Sequence, residues 1–124
     1  MSPAITEDSI IQTRRVRENT TILRGDIVVA NMQDMGKQDV VKRVVGMPGD
    51  VIEVFETELR INDKPFCYYD SALEIAPKQF QLSSDEYFLV GDNVNHSSDS
   101  RMFGPVNKST IKAIEVKVLI KGKE

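Results

Sequence analysis

No stretch of this chain keeps a helical period. Short runs of β-branched and aromatic residues alternate instead with clusters of Gly, Pro, Asn and Asp. The runs are Ile27-Val28-Val29-Ala30, Val40-Val41-Lys42-Arg43-Val44-Val45, Val51-Ile52-Glu53-Val54-Phe55, Leu59-Arg60-Ile61, Tyr87-Phe88-Leu89-Val90 and residues 111–120, with a brief one at Ser9-Ile10-Ile11. The punctuation is Arg24-Gly25-Asp26, Asp34-Met35-Gly36-Lys37, Gly46-Met47-Pro48-Gly49-Asp50 and Asn62-Asp63. This pattern predicts a mainly β domain, barrel-like or sandwich-like, spanning residues 1–124 as one unit. The runs at 27 and 40 are expected to pair as a hairpin. Residues 12–19, with Arg14, Arg15 and Arg17, read as a solvated connection. Pro65 sends residues 64–69 to a sheet edge or outside the sheet. Ser71-Ala72-Leu73-Glu74-Ile75 reads as one helical turn at most, and residues 111–120 alternate with one nearly uniform apolar face.

Composition narrows the function. A length of 124 residues gives one real core. Hydrophobic content of 40% and charged content of 28% are ordinary for a globular domain. The net charge of -3 supplies no basic footprint for nucleic acid. One cysteine, Cys67, excludes an internal disulfide and a cysteine-built zinc site. The longest purely apolar run, Ile27-Val28-Val29-Ala30, is far below the roughly 20 residues of a membrane-spanning helix. The opening residues lack the basic-then-apolar order of a signal peptide. The chain is therefore read as soluble or as a piece separated from an anchor.

Two stretches carry chemistry. In Val40-Val41-Lys42-Arg43-Val44-Val45, strand alternation places Lys42 between Val40 and Val44 on one face, and Arg43 between Val41 and Val45 on the other. If the lysine face packs inward, desolvation lowers the amine's pKa, and a neutral amine is a general base or a nucleophile. The plain alternative is a charged head reaching water along its stem. The second stretch, Gly91-Asp92-Asn93-Val94-Asn95-His96-Ser97-Ser98-Asp99-Ser100-Arg101, is dense in short polar groups and has no apolar period. One reading is a calcium loop through Asn93, Asn95, Ser97 and Asp99, but it lacks the usual sixth-position glycine and twelfth-position glutamate. A second is a Ser-His-Asp triad using His96. A third lets a serine hydroxyl orient Lys42 while an Asp99–Arg101 pair braces the loop. A capped polar turn with a solvated ion pair remains the simplest reading of the loop alone.

Taken together, the two stretches resemble the type I signal peptidases, serine–lysine proteases that remove signal peptides. Lys42-Arg43-Val44-Val45-Gly46-Met47-Pro48-Gly49-Asp50 resembles the family's lysine box. Gly91-Asp92-Asn93, Ser97, Asp99-Ser100-Arg101, Gly104 and Val106 are similar to its G-D-N-x-x-x-S-x-D-S-R-x-x-G-x-V box. Arg24-Gly25-Asp26-Ile27-Val28-Val29 resembles its R-G-D-[IV]-V strand. Order and spacing fit, and the likeness runs from Met1 to about Leu119.

The resemblance implies a mainly antiparallel β catalytic core, with an apolar membrane-facing surface and an N-terminal membrane anchor outside this chain. It implies that Lys42 is the general base and that Ser97 orients it. Asp99 and Arg101 would be the supporting pair, and Asp92 and Asn93 would shape the loop. The nucleophile would be a serine immediately before Met1, in the register S-M-x-P-T. Met1 and Pro3 would then flank the substrate, Ser2 would occupy the variable position and point away from Lys42, and Ala4 would replace the usual threonine. Val94 stands where many members carry arginine, and the short spacer over residues 51–84 suggests a minimal form. Neither cofactor nor metal is implied. The implied substrates are preprotein signal peptides with A-x-A cleavage sites, bound by strand addition on the extracytoplasmic side of a cell membrane. Two rivals are a catalytically inactive signal-peptidase-like binding domain and a self-cleaving serine–lysine repressor-type protease.

Overall fold

A computed structural model of the chain describes residues 9–32 and 39–120. The fold is two antiparallel sheets. Among the described residues ten strands follow in chain order: β1 Ser9–Arg15, β2 Ile27–Ala30, β3 Val40–Gly46, β4 Val51–Val54, β5 Glu58–Ile61, β6 Lys64–Tyr68, β7 Lys78–Gln81, β8 Glu86–Val90, β9 Val106–Asn107 and β10 Ile111–Ile120. One short helix, α1 Ser100–Phe103, lies between β8 and β9. The larger sheet has the order β1-β10-β2-β3-β8-β9 and the smaller one β6-β5-β4-β7. Both are open in strand order, so among the described residues the fold is sandwich-like rather than a closed barrel.

Strands β3 and β8 lie inside the larger sheet and send apolar side chains to both faces, β3 with Lys42 and Arg43 interrupting its valines. Tyr87 and Leu89 join one core with Val28, Ala30, Met32, Val44, Ile111 and Ile114. Phe88 and Val90 join the other with Val45, Ile52, Val54, Leu59 and Ile75. Alternation along β3 sends Val44 and Val45 into different cores, and the register against β8 shifts between Val44 and Gly46. Gly46 has no room for a side chain, since a Cβ there would lie 2.7 Å from Cβ of Phe88.

The expected hairpin partners pair as predicted, with Val28 opposite Lys42, although its turn lies outside the described residues. Lys64–Tyr68 is an edge strand, as Pro65 requires. Asn62 and Asp63 turn into it with positive φ angles of 52° and 69°. The helical turn near residue 71 is a single 3₁₀ turn capped by Asp70. Two expectations fail. Residues 12–15 are strand rather than connection, because β10 supplies the partner backbone. The strict alternation of β10 is broken by a shift between Ile111 and Ala113 against β2, so Ile111 and Ile114 both enter one core.

Candidate active site

Lys42 sits on the face of β3 that it shares with Val44, opposite Val28, and both valines are wholly buried. Its residue is 9% exposed. Burial lowers the pKa of its amine, Asp99 pulls it back up, and Arg101 lowers it again. Lys42 Nζ donates to Ser97 Oγ at 2.9 Å, and Ser97 Oγ donates to Asp99 Oδ2 at 2.7 Å. A serine hydroxyl has one proton. That proton goes to Asp99, so Ser97 receives the lysine by a lone pair. A neutral amine held by one of its own N–H groups keeps its nitrogen lone pair free for another proton. The inward reading of Lys42 is thus the correct one, and the exposed-head alternative is not.

Asp99 explains the polar density of the loop. Its carboxylate accepts from Gly91 N (3.0 Å), Ser97 Oγ (2.7 Å), and Arg101 N, Nε and Nη2 (3.1, 2.9 and 3.0 Å). Both side chains of the Asp99–Arg101 pair are fully buried. Asp99 also caps α1, and Ser100 Oγ accepts from Leu89 N at 3.0 Å. The short β9 pairs only with Glu86 and Tyr87, so beyond its reach Ser100 satisfies the Leu89 amide of β8 and Asp99 the Gly91 amide just past it. A polar turn with a solvated ion pair is therefore overturned. The calcium reading is overturned as well: Asn95 Oδ1 accepts from Asp70 N at 2.8 Å, and Asp99 faces Arg101, so the candidate ligands diverge. His96 is exposed on the cleft wall, and Asp99 and Ser97 engage each other and Lys42 without it.

Two further ion pairs tie the sequence boxes together. Arg43 makes a two-point contact with Asp92, Nε to Oδ1 at 2.8 Å and Nη2 to Oδ2 at 2.9 Å, which holds the start of the loop against β3. The bonds from Arg43 hold the Asp92 carboxyl below its usual range. Arg24 binds Asp50 at 2.6 Å and the carbonyl of Val45 at 2.9 Å, fixing the turn after β3. Burial raises the Asp50 carboxyl, but bonds from Arg24, Asn62 Nδ2 and Met47 N outweigh it, and its pKa is lowered. Asn93 lines the cleft, and its carbonyl accepts from His96 N at 3.0 Å. Val94 packs, partly buried, against the core that contains Val45, Ile52 and Ile75, so an apolar contact stands where many members of the family carry arginine. Sequence reasoning missed Arg24, Arg43 and Asp50 as bracing residues, because their partners lie 26 and 49 positions away.

The amine opens onto a cleft of about 530 Å³ lined by Val40, Val41, Gly91, Asp92 and His96, among others. On this side of β3, β8 pairs only from Arg43 onward, so the edge at residues 40–42 borders the cleft. The expected positions Met1, Pro3, Ser2 and Ala4 lie outside the described residues.

A desolvated lysine presented to an open cleft can act as a base or a nucleophile toward whatever the cleft holds. Residues 1–119 match the family described as signal peptidase, peptidase S26, and the chain belongs to that family. Mitochondrial inner membrane protease subunit 1 of Schizosaccharomyces pombe is 37% identical over 89 residues, covering 72% of this chain and 46% of the relative. Signal peptidase I P of Bacillus subtilis subsp. natto is 37% identical over 105 residues, covering 74% of this chain and 56% of the relative. The crystal structure of a signal peptidase I from Enterococcus faecalis V583 superposes with a TM-score of 0.58 at 25% identity, over 77% of this chain and 97% of that one. The chain thus spans about half the length of these two curated relatives. Among the described residues no helix is long and apolar enough to cross a membrane.

Proposed function

We propose that this domain removes N-terminal signal peptides from preproteins, as an endopeptidase in which Lys42 is the general base for a serine nucleophile. The observation that carries the reading is the Lys42 amine, almost buried, lowered in pKa and held at 2.9 Å by a hydroxyl whose own proton is committed elsewhere. The base takes the serine proton as the oxygen attacks the scissile carbonyl and returns it to the leaving amine, and it then takes a proton from the water that hydrolyses the acyl-serine and gives one back to the serine oxygen. The serine belongs immediately before Met1, with Met1 and Pro3 beside the substrate. An extended A-x-A segment adds to the β3 edge at residues 40–42. The site works on the extracytoplasmic side of a membrane, held there by an anchor outside this chain.

The test is a chain extended upstream by its native residues, assayed on an A-x-A peptide across pH. Cleavage is expected, with kcat/KM rising as pH passes the lowered lysine pKa, because only the neutral amine accepts a proton. Lys42→Arg should be nearly inactive, since a guanidinium stays protonated. Full activity in Lys42→Arg would end the reading. Labelling with a serine-acylating probe should mark the residue before Met1, and an adduct on Ser2 would show that the register is wrong.

A further inference from the structure

Tyr69 lies outside every motif above, yet it touches the ion pair behind Lys42. The guanidinium carbon of Arg101 stands 4.8 Å from the centroid of the Tyr69 ring. Arg101 Nε and Nη2 bond to Asp99, and Nη2 also reaches Ser97 O, but the buried Nη1 has no hydrogen-bond partner. A cation over an aromatic face is held by the ring quadrupole, so the ring supplies the attraction that an oxygen acceptor would give elsewhere. The ring is itself pinned. Tyr69 is 5% exposed, and its hydroxyl lies 2.7 Å from the carbonyl of Phe55, just past β4, and 2.8 Å from that of Glu58, the first residue of β5.

We propose that Tyr69 is a positioning residue for Lys42: its ring fixes Arg101 against Asp99, and through Asp99 and Ser97 the smaller sheet fixes the amine. This rests on Lys42 being the base proposed above. Asp99 receives Arg101 and Ser97 on one carboxylate, so a displaced guanidinium frees both the charge and the angle of Asp99. After burial, Asp99 and Arg101 act on Lys42 with opposite signs. Loss of the fixed Arg101 leaves Asp99 less offset, and the amine then holds its proton to higher pH. The other acidic and titratable side chains around the amine, Asp39, Asp92 and His96, line the cleft, and Asp39 and Asp92 are engaged by Lys112 and Arg43.

The experiment follows the Lys42 titration directly, by the 13Cε signal of labelled lysine, assigned by its loss in Lys42→Met. Tyr69→Phe keeps the ring over Arg101 but loses its two carbonyl anchors, so the midpoint should rise less than in Tyr69→Leu. Tyr69→Leu should move it to higher pH. Should Tyr69→Leu not fold, phenylalanines of increasing ring fluorination at position 69 weaken the quadrupole with little change of shape. The midpoint should then climb along the series, and a flat series overturns the proposal. The acidic limb of kcat/KM in the upstream-extended chain should move with the same variants. A moving Lys42 midpoint in a chain that cleaves nothing supports the positioning and removes the catalytic reading. Cleavage with an unmoved midpoint removes the positioning alone.

Discussion

Gly91 is where the geometry of the amine is most easily broken. A Cβ there would stand 2.2 Å from Ser97 Oγ and 3.4 Å from Lys42 Nζ. Ser97 cannot yield without leaving Asp99 or Lys42, since one hydroxyl serves both. Gly91→Ala should therefore cost activity roughly ten- to a thousandfold, in the range seen on removing a positioned catalytic group. Circular dichroism should still report a folded chain, because the overpacking itself costs about 1–3 kcal/mol. Lys42 carries a second expectation. Its folded pKa is lowered from 10.5, so between the two values the unfolded chain binds more protons. Stability should then rise with pH through that alkaline window, the burial penalty being full below the folded value. Lys42→Met should melt higher than the parent at neutral pH and lose this alkaline slope. A melting temperature in Lys42→Met that is lower at neutral pH would show that the bond to Ser97 outweighs desolvation. The residue types at Lys42, Ser97, Asp99 and Arg101 were legible in the sequence, because short boxes keep them at fixed spacing. Tyr69 was not, since a lone aromatic after an edge strand has no local signal for a cation stacked on it.

At the scale of elements, the two long boxes are not independent turns but are clamped by long-range charges. Asp50 closes the turn after β3 on itself, accepting Met47 N at 2.8 Å, and it joins that turn to Arg24 and Asn62. Its folded pKa is lowered, so it adds stability above its unfolded value of 3.8 that fades as pH falls through the folded one. Asp50→Asn should cost about 1–2 kcal/mol at neutral pH; charge-assisted bonds to a buried group are lost, while Arg24 is half exposed and screened. Urea unfolding at pH 7 and pH 3 checks it: the gap between variant and parent should shrink in acid. Most strands were legible, because β-branched runs ended by Gly, Pro or Asn carry their own boundaries. Strand β7 was missed, since Lys78-Gln79-Phe80-Gln81 has one apolar residue and owes its form to pairing with β4. Helix α1 was missed because Ser100–Phe103 has no period at four residues and is nucleated by the Asp99 cap.

In the whole molecule the two cores meet on the same strands. Residue by residue, β8 sends Tyr87 and Leu89 to one core and Phe88 and Val90 to the other, and β3 divides Val44 from Val45 in the same way. Neither core can lose its packing while β3 and β8 stay ordered for the other, so the two sheets should unfold together. The site straddles this junction, with Lys42 on β3, Ser97 in the loop after β8, and Arg101 over Tyr69 of the second core. The chain has no tryptophan, which leaves tyrosine as the fluorescent reporter. Tyr69 lies in one core and Tyr87 in the other, so in a Tyr68→Phe background, which removes the exposed third tyrosine, Tyr87→Phe and Tyr69→Phe each leave one reporter. Urea transitions followed by fluorescence in the two variants should each coincide with those followed by far-ultraviolet circular dichroism. Phe88→Ala should lower stability by about 3–5 kcal/mol and Leu89→Ala by about 2–5 kcal/mol, each as one displaced transition although they empty different cores. A biphasic curve in Phe88→Ala, with the Tyr69 signal lost at lower urea than the Tyr87 signal, would show instead that the smaller sheet melts alone. The amine would then lose its Arg101 support before the strand that carries it unfolds.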